Sequence, residues 1–108
     1  MPAEPQASRP DVMITTVNQQ LVEVTLTGDV STHALRALEE RFDDPRLQGA
    51  AHWVLDVRGV TRMELACAYA LLRAVTLHSG TTTVRGARRA VLRTLQQAGL
   101  NSAAVIEE

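Results

Sequence analysis

Strand-like and helix-like segments alternate along this chain, and that alternation limits the possible folds more than any other feature of the sequence. Residues 21–27 alternate apolar and polar side chains, as a half-buried strand does, and residues 13–17 precede them as a first strand. Further strand candidates are residues 52–57, which are the most apolar, residues 81–84 and residues 105–106. Apolar residues at helical spacing predict helices over residues 34–42, 63–78 and 87–98.

Short polar and glycine-containing segments are expected to separate these elements. Gly28 and Asp29 are predicted to end the second strand, and residues 58–61 to form a loop after the third. Ser31 or Thr32 is expected to cap the first helix, because a side-chain hydroxyl there accepts a hydrogen bond from an unpaired amide. Pro45 follows two aspartates and is predicted to end that helix.

Strands that alternate with helices favour parallel pairing, because each helix carries the chain back to the same end of the sheet. The expected fold is therefore an α/β domain with a mixed, mostly parallel sheet of four to five strands and helices packed on it. A chain of 108 residues is the size of one such domain. We expect the domain to span residues 12–108, after a disordered tail at residues 1–11 that is rich in proline.

The charge balance and the single cysteine restrict the environments and partners that suit the chain. The formal net charge is −1, so no overall field attracts nucleic acid or an anionic membrane. Cys67 is the only cysteine, which excludes an internal disulfide and favours a reducing compartment. The sequence has neither a signal-peptide pattern nor an apolar run of the ~20 residues that a spanning helix needs. We therefore expect a cytoplasmic protein that inserts into no membrane and binds no nucleic acid.

No arrangement of side chains in the sequence predicts catalysis or a metal site. The three histidines share no metal-ligand spacing, and Ser31 and Thr32 have no histidine paired with them. Asp56, at the end of a buried strand, is expected to accept hydrogen bonds from the following loop, for example from Thr61. All eleven basic residues are arginine, so no lysine is present for Schiff-base or phosphate-loop chemistry. We expect no enzymatic activity and no cofactor.

Several short motifs occur in a characteristic order. The sequence L-D-V-R-G-V at residues 55–60 resembles the strand L-D-L-S-G-V that precedes D-S-S-G at a helix start in the STAS family. The sequence L-T-G-D-V at residues 26–30 is similar to the family's L-x-G-E-L turn, and A-G-L at residues 98–100 is similar to its closing G-L. The resemblance covers about residues 13–106. It implies a STAS domain of the anti-sigma factor antagonist type.

The residues that this family phosphorylates differ in the present chain. Its D-S-S-G motif is replaced by Glu64, Leu65, Ala66 and Cys67, so Ala66 stands at the phosphorylatable serine and has no hydroxyl. Ser31 stands where the family's other functional loop usually has an aspartate. In phosphorylated relatives the added charge disfavours contact with the kinase that is the partner. The resemblance therefore implies a domain that binds its partner without being phosphorylated at this position.

The implied function is a regulatory domain that binds an anti-sigma factor with a histidine-kinase-like ATPase fold. An alternative is an accessory subunit of an ABC lipid transporter, which exposure of both Tyr69 and Leu72 would favour. An oligomeric scaffold or ligand sensor is a further alternative, and a homodimer is left open. The implied partner-binding residues are Gly28, Asp29, Ser31, Thr32, Arg62, Met63, Glu64, Leu65, Ala66 and Cys67. For Cys67, a redox role is weighed against burial as a small apolar side chain.

Overall fold

The computed structural model describes residues 11–107, in which five strands form one sheet in the order β1-β2-β3-β4-β5. Strand β1 is antiparallel to β2, and the other pairs are parallel. The predicted mixed, mostly parallel α/β fold is confirmed. The predicted disordered tail lies outside the described residues, except for the first residue of β1. The elements are β1 (Asp11–Thr16), β2 (Leu21–Val30), α1 (Leu35–Phe42), α2 (Pro45–Gln48), β3 (His52–Met63), α3 (Leu65–Leu77), β4 (Thr81–Arg85), α4 (Arg89–Ala98) and β5 (Val105–Glu107).

The helices cover one face of the sheet, and this follows from the strand order. From β2 onwards every strand is added on the same side of its predecessor, so right-handed crossovers bring each connecting helix to the same face. Burial agrees with this arrangement: the row formed by Val24, Leu55 and Val84 is fully buried in the core. The neighbouring row on the other face is polar, with the half-buried Thr25 and Arg85 on either side of the buried Asp56.

The uncovered face of the sheet carries a network of ion pairs. Asp56 accepts hydrogen bonds from the backbone amide of Arg58 at 3.1 Å and from its guanidinium at 2.8 Å. Arg85, on β4, reaches across β3 to Glu23 on β2. The hydrogen bond from Arg58 holds the pKa of the Asp56 carboxyl below its usual value. Arg58, and not Thr61 as the sequence suggested, is therefore the partner of Asp56.

Trp53 joins the sheet to the helices at the end of the domain where β3 begins. Its indole Nε1 donates a hydrogen bond to the carbonyl of Leu47 at 2.9 Å, and the side chain is 2% exposed. The ring stacks on His78 with 4.0 Å between centroids and lies 5.6 Å from the ring of Phe42. This one side chain therefore contacts residues from the ends of α1, α2 and α3.

Two predicted strand ends are wrong, because β2 and β3 both continue past a glycine. In β2, Gly28 has a φ of 86°, and the pairing with β3 shifts register beside it, so the glycine forms an irregularity within the strand. In β3, Gly59 lies against Thr27, where an added Cβ would be 2.7 Å from the methyl group. Both glycines allow close or irregular strand pairing, and residues 58–61 are strand, not loop.

The start of the first helical segment also differs from the prediction. Ser31 is at its N-terminal capping position, but its side chain makes no capping hydrogen bond. Thr32 donates from both its amide and its hydroxyl to Glu64 and accepts no bond from the helix. The residues after α1 begin a new helix as well as ending the old one, since the Asp44 carboxylate caps α2 by accepting from the Arg46 amide at 2.9 Å.

Candidate protein-binding site

The two segments predicted to bind a partner lie side by side at the end of the sheet where the parallel strands β2 and β3 finish. Parallel pairing places Asp29 opposite Arg62 and Val30 opposite Met63, so β2 and β3 end together. The amide of Glu64 then donates to the carbonyl of Val30 at 2.9 Å, one residue before α3 begins. The end of β2 and the start of α3 therefore form one continuous surface.

Glu64 holds this surface together by capping a helical turn that belongs to the other segment. Its Oε1 accepts hydrogen bonds from the amide of Thr32 and from the Thr32 hydroxyl, the latter at 2.7 Å. These bonds favour the ionised carboxylate and hold the pKa of Glu64 below its usual value of 4.5. We call this pair, Glu64 with Thr32, the Glu64 clasp.

Cys67 makes a second link between the same two segments. Its Sγ donates to the carbonyl of Ser31 at 3.1 Å, and its side chain is fully buried. Burial raises the pKa of the Cys67 thiol, and the nearby Glu64 and Asp29 carboxylates add to the shift. Since the reactive form of cysteine is the thiolate, these surroundings favour the packing role over the redox role.

Arg62 adds a weaker electrostatic link on the outer side. Its guanidinium lies 3.5 Å from Asp29 and 3.4 Å from Glu64, and its side chain is largely exposed. Exposed ion pairs of this geometry stabilise a protein by about 0–1 kcal/mol, so Arg62 adds little to the link between the two segments. Most of the Arg62 side chain stays exposed to solvent.

Burial separates the ten predicted partner-binding residues into three groups. Gly28, Met63 and Cys67 are buried and support the surface from below. Asp29, Ser31 and Glu64 are half-buried and make the contacts described above. The other four are exposed: Thr32, Arg62, Leu65 and Ala66. Together with the exposed Tyr69, one helical turn further along α3, they form a surface that we call the docking surface.

The exposed side of α3 is unusually apolar for a surface helix. Leu65 is 39% exposed, Tyr69 is 50% exposed, and Arg73 is the single charged residue of the helix. Leu77, at the other end, is 76% exposed. A solvent-facing helix normally carries charged residues on its outer side, so this composition is typical of a surface that another molecule covers.

A cleft of about 630 Å³ lies between the C-terminal halves of α1 and α3, toward the end of the domain where β3 begins. Phe42 and Trp53 contribute to its apolar lining, and the charged side chains of Glu39, Asp43 and Arg73 also line it. Its volume is within the usual range for small-molecule sites, so it is where the ligand-sensor alternative would place a ligand.

Within residues 11–107, no three side chains from His, Cys, Asp and Glu come together as metal ligands would. The helices of the same region are all too short or too polar to cross a lipid bilayer. The described site consists of a capped helix start, a buried thiol and exposed apolar side chains. This combination is typical of a surface that binds another molecule.

Fold and site together define a small α/β domain with helices on one face of its sheet. The start of one helix, α3, is hydrogen-bonded to the segment that follows β2. The family model STAS_2, described as "Mlab, STAS domain", matches residues 15–107. The chain belongs to the STAS family, as its motifs indicated. None of the curated proteins compared with the chain matches it.

Several solved structures share the fold at low sequence identity. An anti-sigma factor antagonist from Mycobacterium paratuberculosis superposes with a TM-score of 0.79 at 15% identity, over 96% of this chain and 88% of the other. The anti-sigma factor antagonist SpoIIAA in its unphosphorylated form gives 0.70 at 15% identity, over 91% and 89%. A variant of RsbS from Moorella thermoacetica gives 0.68 at 18% identity, over 89% and 85%. The STAS fold thus extends over nearly all of the chain.

Proposed function

We propose that this chain is a non-catalytic regulatory domain that binds an anti-sigma factor through the docking surface. The observation that carries the proposal is the exposed apolar start of α3, held against the end of β2 by the Glu64 clasp and Cys67. A surface braced in this way is ordered before the partner arrives, so binding loses little conformational entropy. The structural relatives that are anti-sigma factor antagonists support the class of partner.

The partner in this proposal has a histidine-kinase-like ATPase fold, and it does not phosphorylate the domain at the usual position. Ala66 is exposed in the first turn of α3 and has no hydroxyl to accept a phosphoryl group. The domain therefore binds without the reversible negative charge of about −1.5 to −2 that a phosphoserine would add there. Control of the complex then comes from the partner or from the amount of domain present.

The test is an affinity pull-down of the tagged chain from its native cell extract, with and without ATP, and mass spectrometry of the bound proteins. The Leu65→Arg variant places a charge in the docking surface, and Leu77→Arg places the same charge at the far end of the same helix. We expect an anti-sigma factor to be captured by the wild type and by Leu77→Arg, and to be lost with Leu65→Arg. Equal capture by all three proteins would overturn the assignment of the surface.

Phosphorylation is tested with the captured kinase, ATP and two forms of the domain. The wild type is expected to take up no phosphate, whereas Ala66→Ser, which restores the acceptor hydroxyl, is expected to take it up. Phosphate on wild-type residues between Arg58 and Tyr69 would contradict the proposal. Absence of label on both forms would contradict the kinase-like nature of the partner.

A second candidate, an accessory subunit of an ABC lipid transporter, is favoured by one of its two indicators. Tyr69 is exposed, as that function predicts, but Leu72 is half-buried. In the same pull-down this candidate predicts capture of a transporter ATPase in place of an anti-sigma factor, again with loss on Leu65→Arg.

A further inference from the structure

Strand β1 forms one edge of the sheet, and half of its backbone groups point away from the other strands. The amide of Val17 donates to the carbonyl of Leu21 at 3.0 Å, so Val17 and Leu21 are a hydrogen-bonded pair of the hairpin. Because hydrogen-bonded and non-bonded pairs alternate in antiparallel strands, the odd-numbered residues of β1 face β2. The amides and carbonyls of Val12, Ile14 and Thr16 therefore face outward.

Two arginines occupy this outer edge. Arg41, near the end of α1, donates from Nη2 to the carbonyl of Val12 at 2.7 Å. Arg46, in α2, donates from Nη1 to the carbonyl of Ile14 at 3.4 Å. Arg46 is itself held by the Asp44 carboxylate at 2.8 Å. Both guanidiniums thus lie where the backbone of an additional strand would make its hydrogen bonds.

Apart from these arginines, the strand lacks the usual features that prevent edge pairing. Its sequence D-V-M-I-T-T has one charge, at Asp11, and contains no proline or lysine. Met13 is 57% exposed and Ile14 is part of the core, so each side of the strand carries an apolar side chain. The opposite edge, β5, has only three residues. Edge strands with this composition and length readily accept another strand.

We propose that β1 is a self-complementary pairing edge, and that Arg41 and Arg46 keep it from pairing with β1 of a second copy. An antiparallel two-fold pair would place the two Ile14 residues opposite each other and Val12 opposite Thr16. All outward-facing amides and carbonyls of the two strands would then be matched. This inference concerns the sheet edge and does not depend on the proposed function of the docking surface.

The test compares the molar mass of the full chain and its variants by sedimentation equilibrium over the same concentration range. Wild type is expected to be a monomer of 11.8 kDa, and Arg41→Ala/Arg46→Ala to reach twice that mass. The control Arg36→Ala/Arg93→Ala removes the same charge from helix surfaces and is expected to stay monomeric. Neither control side chain bonds to another described residue.

A proline then locates the interface. The Thr16→Pro substitution removes an outward-facing amide without breaking a bond to β2, so adding it to the double variant is expected to restore the monomer. Hydrogen exchange should show protection of the Val12 and Ile14 amides in the dimer alone. If loss of Arg46 disrupts α2, Arg41→Ala by itself, which retains the Asp44–Arg46 pair, is expected to dimerise more weakly.

Three results would overturn the inference. The first is a folded double variant that stays monomeric. The second is a dimer that persists with Thr16→Pro, because its interface then lies elsewhere. The third is a wild-type dimer with protected Val12 and Ile14 amides, because the arginines then do not block the edge.

Discussion

Glu64 is the residue whose ionisation matters most to the candidate site, since its carboxylate accepts both hydrogen bonds from Thr32. The pKa of Glu64 is lower in the folded chain than its usual 4.5, so the clasp favours the ionised form. Its contribution to stability is fully present above about pH 4.5 and is lost as the pH falls through the lower folded value. The helical turn at Thr32–Ala34 then loses the cap that the Glu64 carboxylate provides.

We predict that Glu64→Gln lowers the urea midpoint of unfolding at pH 6, because a neutral amide is a poorer acceptor than a carboxylate. The difference from wild type should shrink as the pH falls below 4.5, since the wild-type carboxyl becomes neutral as well. Urea titrations of both proteins at pH 6 and pH 3 measure this. A difference that is the same at both pH values would show that the charge of Glu64 has no role in the clasp.

Cys67 gives a second prediction at the residue scale. Its thiol is fully buried and burial raises its pKa, so both access and thiolate formation are limited. We expect a thiol reagent such as Ellman's reagent to label the native chain far more slowly than the urea-unfolded chain. Rapid labelling without denaturant would show that the end of β2 separates from α3 in solution, and would reopen the redox alternative.

At the scale of elements, Gly80 controls the path from α3 into β4. A Cβ at this position would lie 1.8 Å from the carbonyl oxygen of Ala51, which also accepts the bond from the Thr81 amide at 3.0 Å. The Ala51 carbonyl and the Thr81 amide are both backbone groups next to a strand, so neither can move away from a new Cβ without shifting β3 or β4.

We therefore predict that Gly80→Ala destabilises the domain by roughly 1–3 kcal/mol or more, as overpacking against fixed atoms does. Gly49→Ala is the matched control, because its new Cβ would lie 3.8 Å from the carbonyl oxygen of Pro45 and its φ of −92° suits any residue. The control should change stability by about 0.5 kcal/mol or less. Urea denaturation of the wild type and the two variants measures both effects. Equal stabilities would show that the backbone around Ala51 and Gly80 can move apart at little cost in free energy.

Sequence patterns predicted the elements well where periodicity and end signals agreed. The helix over residues 87–98 ends as expected at Gly99, which adopts a left-handed φ of 90°. Gly28 and Gly59 misled the prediction, because a glycine that ends a strand and one that lets a strand pass a close neighbour look alike in sequence. The outcome depends on the partner strand, here Thr27 beside Gly59, which lies 32 residues away in the chain.

The candidate site was predicted only as two segments, and the link between them came from tertiary structure. Glu64 directly precedes α3, but its carboxylate caps a turn that begins at Thr32. No local pattern relates these positions, because their proximity follows from the parallel register of β2 and β3. The edge contacts of Arg41 and Arg46 are equally invisible in sequence, since both residues resemble ordinary exposed helix arginines.

At the scale of the whole molecule, one core joins all the helices to a single face of the sheet. Trp53, the only tryptophan, lies in this core and touches residues near three helix ends. A domain with one continuous core is expected to unfold in a single cooperative transition. Its helices have no second sheet face on which to remain packed.

We predict that urea unfolding followed by Trp53 fluorescence and by far-ultraviolet circular dichroism gives coincident curves. Emission should shift to the red as the ring, 2% exposed in the fold, enters water. A fluorescence transition at lower urea than the loss of helix would contradict a single core, and would indicate that the end of the domain around Trp53 opens first.

At the start of α3, the side chains that support the docking surface alternate with side chains that are exposed on it. Glu64 and Cys67 make the hydrogen bonds that shape the surface, whereas Leu65 and Ala66 lie between them with exposed side chains. Substitution at Leu65 or Ala66 therefore leaves the bonds that shape the surface in place. Over evolutionary time such a domain can acquire new partners by exchanging one or two exposed residues, while its ancestral fold is inherited unchanged.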